Sequence, residues 1–236
     1  CCSPSSLTTT PPRIHIVTAG IEKLVPSTAH AFALLRLVDD IQRHGGLADP
    51  FWTFGGGTVL MFRYGHRLSK DIDIFVPDPQ YLGFVSPRLS DTAERVSADY
   101  VEGPGYVKLL RPEGEIDFVA SPNLTALPYD EWTLLGRTVK VETAAEIVAK
   151  KLWHRGDRAT ARDLFDLSLV IEREPDALAT AAPYLVRHRD AFLMQIEQRR
   201  AVLSAQFEAI DALGYRPRYD EAVDRASRFL KQLHTT

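Results

Sequence analysis

Apolar positions follow two rhythms along the chain, and the switch between them divides it. Ala31, Leu34, Leu35, Val38 and Ile41 recur at helical spacing. That spacing predicts an amphipathic helix over 27–43, opened by Pro26 and Ser27 and ended by Gly45 and Gly46. Short apolar runs between turn residues follow. Phe51, Trp52, Thr53 and Phe54 read as a strand entering Gly55, Gly56 and Gly57, and 58–64 as a short helix leaving that turn. Ile72, Ile74 and Val76 alternate with Asp71, Asp73 and Phe75, a half-buried strand stopped by Pro77 and Pro79. A helix is expected over 90–97, then strands over 106–110 and 115–119 joined as an antiparallel hairpin. A last strand is expected over 137–141.

Beyond residue 142 the rhythm is helical throughout, with helices expected over 143–155, 159–172, 176–186, 190–213 and 219–233. The chain therefore reads as mixed α+β. A flexible leader over 1–13, rich in Ser, Thr and Pro, precedes an α/β domain over 14–142 and a helical domain over 143–236. No internal repeat interrupts this order.

Composition narrows the class. The 236 residues are 45% hydrophobic and 25% charged, ordinary for a globular enzyme and unlike a disordered, collagenous or disulfide-rich chain. Lys and Arg number 28 against 31 Asp and Glu, a formal net charge of -3. Bulk charge therefore does not drive binding to nucleic acid, which depends on neutralising many phosphates. A local basic cleft remains compatible with it, and the acidic excess lies in the part before residue 143. The only cysteines, Cys1 and Cys2, are adjacent, so they neither staple the fold nor build a zinc site. No stretch approaches the ~18 apolar residues of a membrane span, and the start lacks the apolar centre of a signal peptide. A cytoplasmic protein with no membrane partner is expected.

Candidate chemistry begins at Asp71 and Asp73. In a strand their side chains share a face roughly 6.5 Å apart. Two such carboxylates repel one another unless a hard divalent cation with oxygen ligands lies between them; a solvated strand face is the plainer alternative. Just upstream, Gly56, Gly57 and Thr58 sit at a strand-to-helix turn, where backbone N–H groups and the helix dipole favour phosphate. Asp117 has the opposite parity to Ile116 and Phe118. A strand lying beside Asp71 and Asp73 would put it on their face. Three carboxylates with a phosphate-binding turn are the equipment of two-metal phosphoryl or nucleotidyl transfer.

Further on, Lys151, Arg155, Arg158 and Arg162 are spaced by four, three and four. They align on one helix face or, if Gly156 and Asp157 break the helix, surround a turn; either way positive charge is concentrated. The seven histidines show no metal-ligand spacing, and His66 and His154 read as exposed loop and helix residues. Arg187, Arg189, Arg199 and Arg200 read as a solvated helix face rather than a nucleic-acid contact.

Two stretches resemble a known family. FGGGTVLMFRYGHRLSKDIDIFV looks like the signature of the AbiEii/AbiGii (MenT-like) nucleotidyltransferase toxins, within the DNA polymerase β-like superfamily. AEIVAKKLWHRGDRATARDLFDLSLVI is similar to the family's second signature, a lysine-bearing helix followed by Arg-Asp-x-x-Asp-Leu. They stand in the family's order and anchor residues from about 50 to 172. The chain departs from the superfamily pattern at Thr58, where serine is usual, but keeps the hydroxyl.

The resemblance implies a polymerase β-like α/β core with a C-terminal helical bundle. It implies that Asp71 and Asp73 bind Mg²⁺ or Mn²⁺, while Asp117 completes a metal site and helps deprotonate the attacking hydroxyl. Gly56, Gly57, Thr58 and Lys151 would hold the phosphates of an NTP. Arg67 and Lys70 would neutralise the triphosphate or stand as solvated loop charges. Ser69 matches a serine that is phosphorylated in some members; its plain alternative is a turn residue. Asp163 is expected to orient Lys151 or an arginine, and Asp166 to be structural. The implied activity is transfer of NMP from NTP to an RNA acceptor, the tRNA 3′ end, in a type IV toxin–antitoxin or phage-defence system with a cognate antitoxin. A transferase that phosphorylates or adds NMP to a protein, Ser69 itself being one such target, and a non-catalytic RNA-binding or antitoxin-like module that does not need Asp71 and Asp73 together, are the alternatives from other classes.

Overall fold

Among the described residues the strands join one seven-stranded sheet. They are β1 (Thr53–Gly55), β2 (Ile72–Val76), β3 (Tyr100–Gly103), β4 (Tyr106–Leu109), β5 (Ile116–Ala120), β6 (Tyr129–Leu134) and β7 (Arg137–Glu142), in the order β3-β4-β5-β2-β1-β7-β6. The computed structural model describes residues 37–39, 43, 51–134 and 136–234. Residues 37–39 are helical and Leu37 and Val38 buried. The rest of the helix expected over 27–43, like the leader with Cys1 and Cys2, lies outside the described residues apart from Arg43.

At the centre, β2 runs antiparallel to β1 and parallel to β5. Ile72, Ile74, Val76, Ile116 and Phe118 are all buried on one face, as alternation demands. The register pairs Asp73 with Asp117 and Phe75 with Val119 on the other. The expected hairpin is present as β4 and β5. The pattern did not announce β3 or β6. Both are outermost in the sheet, where a strand has one neighbour and little apolar alternation; Val101 is exposed, and in β6 only Trp132 is buried.

The helix after β1, α1 (Gly56–Tyr64), starts at the glycines rather than at residue 58. Short helices α2 (Leu82–Val85) and α3 (Asp91–Val96) precede β3. After β7 come α4 (Ala144–Arg155), capped by the Thr143 hydroxyl, and α5 (Ala161–Arg173), opened by a capping box of Thr160 and Asp163. A single 3-10 turn, Gly156–Arg158, separates them. The helix expected over 176–186 is two short ones, α6 (Pro175–Ala179) and α7 (Ala182–Leu185).

The long helix expected over 190–213 also breaks. Arg199, at φ -99 and ψ 21, divides α8 (Arg189–Gln198) from α9 (Arg200–Glu208). Beyond α9 the backbone turns to pair with the loop after α1. Leu68 N–H donates to the Asp211 carbonyl at 2.8 Å, and Leu213 N–H to that of His66 at 2.9 Å. The last helix, α10 (Tyr219–Gln232), buries Tyr219, Ala222, Val223, Ala226 and Leu230 along one stripe.

One hydrophobic core crosses the boundary at residue 142, joining Ile74 and Phe118 of the sheet to Ile147 and Val148 of α4 and Leu164 and Phe165 of α5. It holds the sheet's carboxylate-bearing strands and the basic helices in one frame. Phe118→Ala should lower unfolding stability by about 3–5 kcal/mol, read as a reduced urea midpoint.

Candidate active site

Parity and register together build a wall of carboxylates. Asp73 stands mid-β2 with Gly55 opposite on β1 and Asp117 opposite on β5. Asp71, one residue before β2, accepts from the Glu115 N–H at 3.2 Å. Removal from water, then the charge of Asp117, raises the Asp73 pKa to about 7, with Lys151 opposing and Asp71 adding. Burial likewise raises Asp117, although Lys108 opposes it. Lys108 Nζ lies 3.1 Å from Asp117 Oδ2 and also pairs with Glu115. Burial lowers its pKa, but those two acids prevail and bring it to about 12. Asp117 Oδ1 is buried with no partner.

The glycine turn presses against this wall. Gly56 has φ +73, and a Cβ there would lie 1.8 Å from Asp73 Oδ2; only glycine meets both demands. A Cβ at Gly57 would come within 2.5 Å of Arg67 Nη2 and 3.1 Å of Ser69 Oγ. The N-terminus of α1 has no side-chain cap and no acidic residue in its first turn. Its N–H groups are thus an anion site in waiting. Thr58, expected among the phosphate ligands, is placed differently. It is fully buried, its hydroxyl bonded to the Asp71 carbonyl and, at 3.0 Å, to Ser69 Oγ. It braces the loop rather than lining the cleft.

Opposite lies a basic wall organised by two buried aspartates. Asp166 accepts a forked pair from Arg67, Nε at 2.8 Å and Nη2 at 2.9 Å, and a bond from Lys151 Nζ at 2.6 Å. His66 Nε2 is 2.9 Å from its Oδ1. Asp163, one turn earlier on α5, takes Lys151 at 3.2 Å and Arg155 at 2.6 Å. Burial raises both carboxyls, but Lys151 with Arg67 or Arg155 outweighs it, so both lie below the usual range, Asp166 well below.

One expectation changes here, and two alternatives left open are decided. His66 is not an exposed loop histidine but fully buried against Asp166, and burial holds its pKa down. Arg67 is not a solvated loop charge but is 3% exposed and committed to Asp166. Of the four basic positions, Arg158 is exposed and reaches the His154 carbonyl, while Lys151, Arg155 and Arg162 line the cleft.

The two walls enclose a cleft of about 690 Å³ that brings together Gly57, Arg67, Ser69, Asp71, Asp73, Asp117, Lys151 and Arg155. Sequence reasoning missed Lys108 and Glu115, which line it too. Their only signal was alternation on the strand beside Asp117. Among the described residues no three His, Cys, Asp or Glu side chains enclose an ion unaided. The donor set nonetheless suits a hard cation: an orphan Asp117 oxygen, and an Asp73 whose burial and carboxylate neighbours outweigh the pull of Lys151 and Arg155. Magnesium commonly takes one or two carboxylates and completes its shell with waters and substrate phosphates.

Residues 41–232 match the family model described as nucleotidyl transferase AbiEii toxin, type IV TA system. The chain belongs to this family, and it is a nucleotidyltransferase. Among solved structures it is similar to a candidate nucleotidyltransferase of H. pylori, at 16% identity and a TM-score of 0.49 over 87% of this chain and 93% of that one. JHP933 from Helicobacter pylori is 16% identical, with a TM-score of 0.46 over 87% and 90%. The nucleotidyltransferase toxin MenT4 from Mycobacterium tuberculosis H37Rv is 18% identical, with a TM-score of 0.47 over 87% and 85%. A search of curated proteins found no match. No helix among the described residues is long and apolar enough to cross a membrane.

Asp166→Asn should cost about 3–5 kcal/mol at pH 7, because it strands buried cations. The depressed native pKa fixes the sign with pH. The wild type's advantage over the variant is complete above the unfolded value of about 3.9 and shrinks as pH falls through the native value. Melting temperatures of both proteins from pH 7 to pH 3 measure it. Gly56→Ala should lower stability by more than about 1 kcal/mol and abolish nucleotidyl transfer, since it displaces Asp73; a melt and a transfer assay check the two.

Proposed function

We propose that this AbiEii-family enzyme transfers NMP from an NTP to the 3′ hydroxyl of an RNA, with tRNA as the acceptor. In this reading a cognate antitoxin restrains it in a type IV toxin–antitoxin or phage-defence pair in the cytoplasm. The carrying observation is the in-register pair Asp73 and Asp117, sharing one cleft with Gly57 at the start of α1 and with Lys151 and Arg155. The part over 14–142 supplies the carboxylates and that over 143–236 most of the cations, consistent with two domains flanking one substrate.

The acceptor oxygen attacks the α-phosphorus, and the bond from that phosphorus to the α–β bridging oxygen breaks. Pyrophosphate leaves, and the hydroxyl proton passes to Asp117 Oδ1, the unpartnered carboxylate oxygen in the cleft. Gly56 and Gly57 offer backbone N–H groups to the phosphates. Lys151 and Arg155, held by Asp163, face the charge that develops on the leaving group. Asp71, Asp73 and Asp117 would hold Mg²⁺ or Mn²⁺, whose charge polarises the phosphate and stabilises the leaving oxygen. Arg162, also lining the cleft, adds positive charge for the RNA backbone.

Ser69 favours a second reading. Its side chain lines the same cleft as Asp71 and Asp73, so its hydroxyl is itself an acceptor for phosphate or NMP. Mass spectrometry of the protein after incubation with each NTP separates these modifications from transfer to RNA.

The test incubates the protein with Mg²⁺, total RNA and each labelled NTP in turn. Label should enter the RNA 3′ end with the wild type and fall about 100-fold or more with Asp73→Asn. Asp71→Ala and Asp73→Asn should also abolish growth inhibition. Undiminished toxicity of both variants would overturn the proposal.

A further inference from the structure

A second cavity, about 240 Å³, adjoins the main cleft and shares Gly57, Asp73, Asp117, Lys151 and Arg155 with it. Its other walls differ in kind. Phe75 and Val119, register partners two residues beyond Asp73 and Asp117, form the sheet side, and Ile147 of α4 lies across from them. The carboxylate face of the sheet thus turns apolar within one step of the reaction centre.

One polar group in this slot has an unmet need. Glu142, which ends β7, has a fully buried side chain. Its Oε1 accepts from Lys150 Nζ at 2.6 Å and from the Thr53 hydroxyl at 2.9 Å. Its Oε2 is buried and has no partner. Buried acceptors are almost always satisfied, so an unmet one over Gly55, on a residue that lines a cavity beside a reaction centre, marks where a ligand donor belongs. Lys150 Nζ stands 4.1 Å from the Phe75 ring centroid and balances the carboxylate charge locally. Lys151 and Arg155 are shared with the main cleft and paired with Asp163 and Asp166, and Lys150 is committed to Glu142. Beyond His154, the inner end of the slot therefore offers apolar side chains and a carboxylate rather than a seat for phosphate. A flat heterocycle with an N–H on its edge satisfies all of these surfaces.

We propose that this slot takes the nucleobase of the NTP, with Phe75, Val119 and Ile147 packing on the ring and Glu142 Oε2 accepting from an amino group on its edge. The proposal rests on the nucleotide-transfer reading above and adds how the base is chosen. Adenine, cytosine and guanine each carry an exocyclic amino group. Uracil instead flanks its single imino N–H with two carbonyl oxygens, which a carboxylate repels. A site built around a buried acceptor rejects a ligand that leaves the acceptor unpaired far more strongly than an apolar pocket rejects a change of size. Glu142 is therefore a specificity-determining residue, and UTP is the poorest substrate.

The test measures kcat and KM for the four NTPs, and inhibition by inorganic tripolyphosphate, with wild type, Glu142→Gln and Val119→Trp. Glutamine offers an N–H to a uracil carbonyl. Glu142→Gln should therefore improve UTP relative to the best NTP by tenfold or more in kcat/KM. Val119 is half-buried on the cavity wall, so tryptophan there fills the slot without entering the core. It should raise KM for every NTP at least tenfold and leave tripolyphosphate inhibition unchanged. An unaltered NTP ranking in Glu142→Gln, or equal weakening of NTP and tripolyphosphate in Val119→Trp, would overturn the base slot alone. Absence of transfer by the wild type with any NTP would overturn the nucleotide reading, and the slot with it.

Discussion

The site hangs on a single buried charge. Asp166 has no exposed surface and contacts His66, Arg67 and Lys151. A carboxylate taken from water at such cost persists only where its partners are held in place. Those partners come from two distant stretches, the loop after α1 and the helix α4. Satisfying Asp166 therefore fixes the distance between the glycine turn and the basic wall. The backbone at 211–214 pairs with 65–68, so the same loop is gripped again by the C-terminal helices. Ser69 and Asp71 follow directly in the chain and inherit that position.

The cleft carries both signs of charge, and neither wall is comfortable alone. Burial, and then the charge of Asp117, push the Asp73 pKa up to about 7, more than Lys151 and Arg155 pull it back. Lys108 reaches across to Asp117 and relieves part of that repulsion. On the other wall Asp163 and Asp166 temper Lys151, Arg155 and Arg67, without hiding Lys151 and Arg155 from the cleft. A nucleoside triphosphate with a divalent cation is a ligand of matching polarity, with positive charge for the carboxylates and negative charge for the basic wall.

Much of this was legible as periodicity. Alternation at Ile72, Ile74 and Val76 placed the strand and its carboxylate face, and the parity of Asp117 anticipated the register that sets it beside Asp73. What failed has a common cause in weak local signals. The strands β3 and β6 lie at the sheet's edges and bury too little to show a period. The break at Arg199 leaves the apolar spacing of 190–213 intact, so no pattern marks it. His66 was misjudged, and Arg67 left between two readings, because a polar run reads as a solvated loop. Only the aspartate a hundred residues away in the chain makes their burial affordable.

The sequence by itself determined the central strands, the α+β order, the pair of acidic positions and the glycine turn, because all of these follow from short-range spacing and backbone freedom. Tertiary structure alone decided which charges neutralise one another. It turned Thr58 inward, joined Asp166 to His66, Arg67 and Lys151, and left Asp117 Oδ1 and Glu142 Oε2 without partners, while the pairing of Asp163 with Lys151 and Arg155 met the expectation from the sequence. Pairing and desolvation are properties of neighbours brought together by folding, and no spacing along the chain encodes them directly.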